Sequence, residues 1–234
     1  MRILIVAATE EEVGLLISDF GISISELFRS EKSPDRKPGS GNLDSKSEIE
    51  IPKSEILITG VGMVATAFAL GKHLASNHYD LVINLGIAGS FDRNIALGEV
   101  LEITEDTFAE LGAENDNEFL SIDEMGFGTG TYKPTTNLTD RYNAFNLKTA
   151  TAITVNTVHG NVASIKKVVG RLNPQLESME GAAFFYACNK MNVPCLQIRA
   201  VSNYVEKRNR ENWKIGLAIK NLNTFAVEFL KLYA

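Results

Sequence analysis

"LVINLGIAGS", residues 81–90, decides the fold. Its first half is aliphatic apart from Asn84, and its second half mixes glycine with small or aliphatic residues. A run of this kind, ending in a glycine turn, predicts a strand covered on both faces, which is the pattern of a parallel sheet sandwiched between helices. Upstream, "ILIVAA" (3–8) and "EILITG" (55–60) read the same way. Between the latter and 81–90 lies "VGMVATAFALGKHLAS" (61–76), a helix rich in small residues. "TEEEVGLLISDF" (9–20) carries a helix-start pattern, with Thr9 as N-cap, Glu12 three residues on, and Val13, Leu15 and Leu16 on the apolar face.

Downstream the alternation continues. "GEVLEITED" (98–106) alternates as a strand does, "TAITVNTVHG" (151–160) predicts a strand and turn, and 161–170 a short helix. "LESMEGAAFFYAC" (176–188) opens a buried helix, and "VPCLQIRAVS" (193–202) is a further buried strand. Residues 210–234 predict a long amphipathic helix whose apolar side runs from Ile215 through Leu222 and Phe225 to Leu230. Strands alternating with helices, without internal repeat, predict one three-layer α/β/α domain over residues 1–234 with a mostly parallel central sheet. The Ser-, Pro-, Gly- and charge-rich 29–50 segment predicts a loop or exposed hairpin. Residues 107–149 predict a long loop region, a lid or a subunit contact.

Composition narrows the function. Of 234 residues 44% are hydrophobic and 22% charged, and the net charge is −6. That is a soluble globular composition without the basic footprint of a nucleic-acid or anionic-membrane binder. The N-terminal apolar run meets three glutamates too soon for a signal peptide or membrane span. Cys188 and Cys195 lie in apolar segments without metal-ligand spacing, as buried thiols of a reducing compartment would. The expected place is therefore the cytoplasm, with no metal and no cofactor.

Ligands of such sheets bind beyond the carboxyl ends of the strands, which directs attention to 8–12, 60–64, 86–90, 156–160 and 199–206. Gly60-Val61-Gly62-Met63-Val64-Ala65 matches the dinucleotide fingerprint. However, it is not the first strand-to-helix turn, no acidic residue closes the next strand, and the first strand runs into glutamates that would repel a pyrophosphate. These glycines instead suit close approach of backbone to a small ligand.

Glu12, Glu180, Arg199 and the Ser202-Asn203 pair all fall at strand ends or helix starts, on one predicted rim. A carboxylate at the mouth of an apolar run costs several kcal/mol, on the order of 3–5, unless it is paired. Glu180 is then either a first-turn acid favoured by the helix dipole or a ligand group. Glu12 is either one half of a capping box on Thr9 or a base, and Arg199 either a structural ion pair or a group that orients a carboxylate through a bidentate pair. Two carboxylates and a guanidinium suit a reaction with an activated water and a held sugar, because an oxocarbenium-like transition state needs both.

"AATEEEV" (7–13), "INLGIAGS" (83–90), "MEGAA" (179–183) and "IRAVSN" (198–203), in this order, resemble the nucleoside phosphorylase and nucleosidase superfamily. The nearest branch is that of the methylthioadenosine/S-adenosylhomocysteine nucleosidases and the futalosine hydrolases. The resemblance is weakest over 20–54 and 107–150. It implies that Glu12 activates the attacking water, Met179 packs beneath the sugar, Glu180 grips the ribose hydroxyls, and Arg199 positions Glu12 and the water. It further implies that Ile87, Ala88, Gly89, Val158 and Ser202 contact substrate, and that the protein is a homo-oligomer, a dimer or higher. His159 either lines the base pocket or is a solvated loop residue.

Two positions depart from the adenine-cleaving branch. It has a small hydroxyl residue where this chain has Ile87, and Asp where this chain has Asn203. Asn delivers no proton, but its amide donates to the O6 or N7 acceptors of a 6-oxopurine. Facing adenine's exocyclic donor instead would cost about 1–3 kcal/mol. "SNYVEKRNRENWKIGLAI" (202–219) also looks like the futalosine hydrolase tail, in which Arg208 and Arg210 either meet a substrate carboxylate or are solvated charge. The resemblance thus implies hydrolysis of a 6-oxopurine nucleoside, futalosine first, to hypoxanthine and a ribosyl product for menaquinone synthesis. Behind it stand adenine-type nucleosidase activity, phosphorolysis, and a nucleoside-binding module without turnover.

Overall fold

The computed structural model describes residues 1–20, 22–24, 53–136 and 147–233. The expectation for 29–50, and part of that for 107–149, lies outside these residues. The chain order is β1 (Arg2–Ala7), a 3-10 turn (Glu11–Val13), α1 (Gly14–Phe20), β2 (Ser23–Ile24), β3 (Lys53–Ile58), α2 (Met63–Leu74) and β4 (Leu81–Ser90). There follow β5 (Val100–Phe108), β6 (Gly112–Asn115), β7 (Glu118–Ser121), β8 (Thr131–Tyr132) and β9 (Lys148–Thr154). Last come α3 (Val162–Leu172), β10 (Leu176–Ser178), α4 (Gly181–Met191), β11 (Cys195–Tyr204) and α5 (Ile215–Lys231).

β10-β9-β5-β11-β4-β1-β3-β2 form one sheet, with β8 added beside β5. β1 pairs parallel with β3 and β4, β4 with β11, and β9 with β5 and β10. The β5–β11 and β5–β8 pairings are antiparallel, so the sheet is mostly parallel, as its aliphatic runs predict. β10 does more than continue the sheet: Leu176 and Glu177 also pair antiparallel with Ser90 and Gly89 of β4, which curls five strands into a ring.

Alternation along the strands sorts the core into two layers. Ile3, Ile5, Ile83 and Ile198 pack with Leu222, Phe225 and Phe229 of α5 on one face. Leu4, Val6 and Val82 pack with Leu70 of α2 and Phe184 and Phe185 of α4 on the other. Each fully buried large side chain contributes roughly 1.5–3 kcal/mol, so every central strand is held from both sides. Cys188 and Cys195 are free and buried in the second layer.

The structure corrects the sequence reading at four places. Thr9 does not cap a helix: the segment opens with a 3-10 turn whose capping position is Glu10, without a side-chain capping bond. "LES" (176–178) is strand β10, and the buried helix begins only at Gly181. The 107–149 region is not one long loop, because β5 runs to Phe108 and β6 and β7 form a separate hairpin. Finally, α5 starts at Ile215, behind a 3-10 turn at Arg210–Asn212.

Candidate active site

A cavity of about 380 Å³ opens at the carboxyl ends of the strands, and all five segments singled out from strand ends contribute to its wall. Glu12 enters from the turn after β1, Ile87, Ala88 and Gly89 from the end of β4, and Val158 from the turn after β9. Met179 and Glu180 join from the link between β10 and α4, and Ser202 and Asn203 from β11. The last pair owes its position to a bulge: the register shifts between Val201, opposite Ala88, and Asn203, opposite Gly89. An extra residue there lets two consecutive side chains reach one cavity.

Glu12 is 8% exposed and held by backbone amides. Its Oε2 accepts from Ala8 N at 3.1 Å and Thr9 N at 3.2 Å, and its Oε1 from Ile87 N at 3.0 Å. One half of the capping box is therefore real, yet the other carboxylate oxygen is directed to β4. Burial pushes the Glu12 carboxyl above the usual 4.5, and Glu180 adds to this; the Arg199 guanidinium and the Ile87 amide pull it back. The result is a base that is better than a free carboxylate and fixed in direction.

Glu180 occupies the capping position of α4 but makes no side-chain capping bond. Its Oε1 accepts from Gly62 N at 2.9 Å and its Oε2 from Met179 N at 3.2 Å. Gly62 has φ +98°, a conformation L side chains rarely adopt, so glycine is what aims this N–H at Glu180. The glycines of 60–62 thus serve a carboxylate rather than a pyrophosphate.

Arg199 departs from expectation. It forms no ion pair with Glu12 and does not reach the cavity wall. At 2% exposure its Nη2 donates to Asn84 Oδ1 and, at 2.9 Å, to Gln197 Oε1, while Nε has no partner. Nη1 lies under Gly86, where a Cβ would come within 2.0 Å of it and 3.1 Å of Glu12 Oε1. The two charges act on each other through space, behind a glycine that keeps the gap narrow.

The sequence reading missed the groups behind this wall. Gln197 Nε2 donates at 2.9 Å to Asp106 Oδ2, and Thr154 Oγ1 donates at 2.8 Å to Oδ1 of the same carboxylate. Complete burial raises Asp106 to about 7, against the pull of Thr154 and Arg199. His159 lines the cavity and is not a solvated loop residue: its Nδ1 lies 2.7 Å from Glu177 Oε2, and its backbone N–H donates at 3.0 Å to Glu177 Oε1. Glu177 had a signal, since it stands three residues before Glu180, but it was hidden inside a segment read as helix.

At the far rim the Arg208 guanidinium stacks 4.8 Å from the Trp213 ring centroid, and both residues line the cavity. Arg210 lies 5.7 Å from the same ring. No group of three or more His, Cys, Asp or Glu side chains among the described residues is spaced to hold a metal ion. No helix among them is long and apolar enough to cross a membrane.

Residues 2–232 match the family model of the phosphorylase superfamily. Futalosine hydrolase of Streptomyces coelicolor is 36% identical over 175 residues, which cover 72% of this chain and 74% of that protein. The native structure of futalosine hydrolase from Helicobacter pylori superposes with TM-score 0.74 at 17% identity, covering 100% of this chain and 97% of that one. Methylthioadenosine/S-adenosylhomocysteine nucleosidase from Helicobacter pylori, solved with butyl-thio-DADMe-Immucillin-A, gives 0.74 at 18% identity, with 100% and 97% coverage. At such identities the superpositions speak for the fold, and the sequence relatives for the lineage. The chain belongs to the phosphorylase superfamily, and within it stands with the futalosine hydrolases.

Proposed function

We propose that this protein hydrolyses the N-glycosidic bond of a 6-oxopurine nucleoside, futalosine first among them, releasing hypoxanthine and the ribosyl product for menaquinone synthesis. One observation carries the reading: Glu12 and Glu180 arrive from separate parts of the chain and face one cavity. In this reading Glu12 takes a proton from water, whose oxygen attacks the anomeric carbon, and Glu180 accepts from the ribose hydroxyls. Met179 packs beneath the sugar. Arg199 acts through space on the ionisation of Glu12, not through a direct contact.

Asn203 supports the oxo base. Its Oδ1 accepts from Ser202 Oγ at 2.8 Å and its Nδ2 donates to Tyr204 O at 3.1 Å, so the second N–H of the amide is left for an acceptor on the ligand. Ile87, Ala88, Gly89 and Val158 complete the walls around substrate. Arg208, stacked on Trp213 at the rim, suits a substrate with an anionic substituent. We take the chain to work as one domain over 1–234, in the cytoplasm and as a homo-oligomer. The exposed apolar side chains Val61 at 57%, Val64 at 77% and Phe68 at 62%, beside the site, support the last point.

The test is incubation of the protein with futalosine, inosine and methylthioadenosine, with and without phosphate, following free base by chromatography. Hypoxanthine released from futalosine independently of phosphate is the expected result. Adenine without hypoxanthine would return the adenine-type activity, phosphate dependence would make it a phosphorylase, and no release at all would make it a binding module.

A further inference from the structure

A purine anion is a poor leaving group, so cleavage of its glycosidic bond calls for a proton on the base as the bond breaks. The site described so far takes up a proton, at Glu12, and delivers none. Asn203 carries no acidic proton, and both oxygens of Glu180 accept from backbone amides. The other ionisable side chains at the wall are occupied or remote. Tyr204 donates its hydroxyl to Ile95 O, Glu206 is ion-paired with Arg93, and Glu11 is exposed at the mouth.

What remains is His159. Its side chain is only 12% exposed, on the cavity wall, and the 3% exposed Glu177 holds both its backbone and its ring. With Nδ1 bonded to the carboxylate, the ring is fixed in orientation and Nε2 is the nitrogen left for a ligand. The Phe91 ring packs against it in a T-shaped arrangement, with the two ring centroids 6.2 Å apart. Glu177 belongs to β10, where it pairs with Gly89. A Cβ added at that glycine would lie 3.2 Å from Asn203 Nδ2 and 3.5 Å from Glu177 Cγ. The His–Glu pair and Asn203 therefore converge on one glycine, at the same end of the cavity.

We propose that His159, oriented by Glu177, is the general acid that protonates the departing base. As the C1′–N9 bond breaks, its electron pair passes to the purine. The Nε2 proton of the imidazolium is transferred to N7, and hypoxanthine leaves neutral. Water supplies the new C1′–O bond and its proton goes to Glu12, so one proton is taken up and one given in each turnover, and solvent resets both groups. Glu177 is the positioning residue: one of its oxygens holds the His159 backbone amide and the other the ring at Nδ1, which orients the imidazole. Asn203 then recognises the oxo base, and His159 activates it.

This rests on the hydrolase reading above, and the experiment separates the two. Wild type and His159→Gln are compared on inosine or futalosine and on 4-nitrophenyl β-D-riboside, whose phenolate departs without a proton. Hypoxanthine affinity is measured by calorimetry on both proteins. Expected for the variant is a kcat lower by about 10²–10⁴-fold on the nucleoside, with nitrophenol release and hypoxanthine affinity within about threefold of wild type. Glu177→Gln should reproduce the pattern with a smaller loss. A variant that keeps its rate on the nucleoside overturns the proposal. So does one that loses nitrophenol release equally, or one whose hypoxanthine affinity falls in step with kcat. Calorimetry decides even where the riboside is a poor substrate. If wild type releases no base from any nucleoside, it is the hydrolase reading that fails.

Discussion

The two ends of the cavity are built by different means. Around Glu12 and Glu180 every orienting bond comes from a backbone amide: Ala8, Thr9 and Ile87 on one carboxylate, Gly62 and Met179 on the other. Around Asn203 and His159 side chains largely hold side chains, Ser202 on Asn203 and Glu177 on His159. Backbone donors are fixed by the sheet and do not change with a single substitution, whereas side-chain partners can be exchanged one at a time. The first end is accordingly the harder one to alter by single substitutions, and the second the one where partners, and with them the contacts to a base, can drift.

The sharpest way to break this contrast is Glu12→Gln. It keeps the shape and removes the base, so kcat should fall by about 10²–10⁴-fold while hypoxanthine still binds in calorimetry; a fully active variant would take Glu12 out of the reaction. In wild type the acid limb of kcat/KM should lie above the ordinary carboxylate range, since burial raises Glu12 and the ionised form is the working one.

Gly86→Ala comes next. Its methyl would meet Arg199 Nη1 at 2.0 Å, in a place closed by backbone on one side and Asn84 and Gln197 on the other. A stability loss of about 1–3 kcal/mol is expected from such overpacking, read as a lower denaturant midpoint, together with a drop in kcat. An alanine variant of unchanged stability and rate would show that the guanidinium can move freely.

At the other end, Asn203→Asp should leave the fold intact and shift selectivity from 6-oxo toward 6-amino bases. A change on the order of tenfold in the ratio of kcat/KM is the scale of one exchanged hydrogen bond. Unchanged selectivity would mean that Asn203 does not read the base.

A last test concerns Asp106, raised from 3.8 to about 7. A carboxyl with a raised folded-state value contributes its stability fully below its unfolded value and loses it as pH climbs through about 7. Denaturant midpoints of Asp106→Asn should thus decline less than wild type between pH of about 4 and 7; parallel curves would refute the assignment.

Much of this was legible in the residues. Aliphatic runs such as 3–8 and 81–90 announce strands buried on both faces, and the polar residues just beyond them are the ones that face the cavity. What escaped has a common cause. Glu177, Asp106 and Gln197 lie within strands and answer to partners far away in sequence: Gln197 meets Asp106 across 91 positions and Glu177 meets His159 across 18. Spacing along a chain carries no trace of such pairs. β10 was missed because three residues are too few for any periodicity, and the Arg199–Glu12 contact was over-read because sequence does not show that the guanidinium is bonded to Asn84 and Gln197 instead.

The double pairing of β10 has an evolutionary corollary. Braced by β9 through Leu176, Glu177 and Ser178 and by β4 through Leu176 and Glu177, this segment cannot slip by one residue without turning Glu177 away from His159 and dragging Met179 and Glu180 along. Insertions and deletions in the lineage should therefore be absent from 176–180 and gather in the turns ahead of it, so that alignment gaps alone would trace the outline of the ligand chamber.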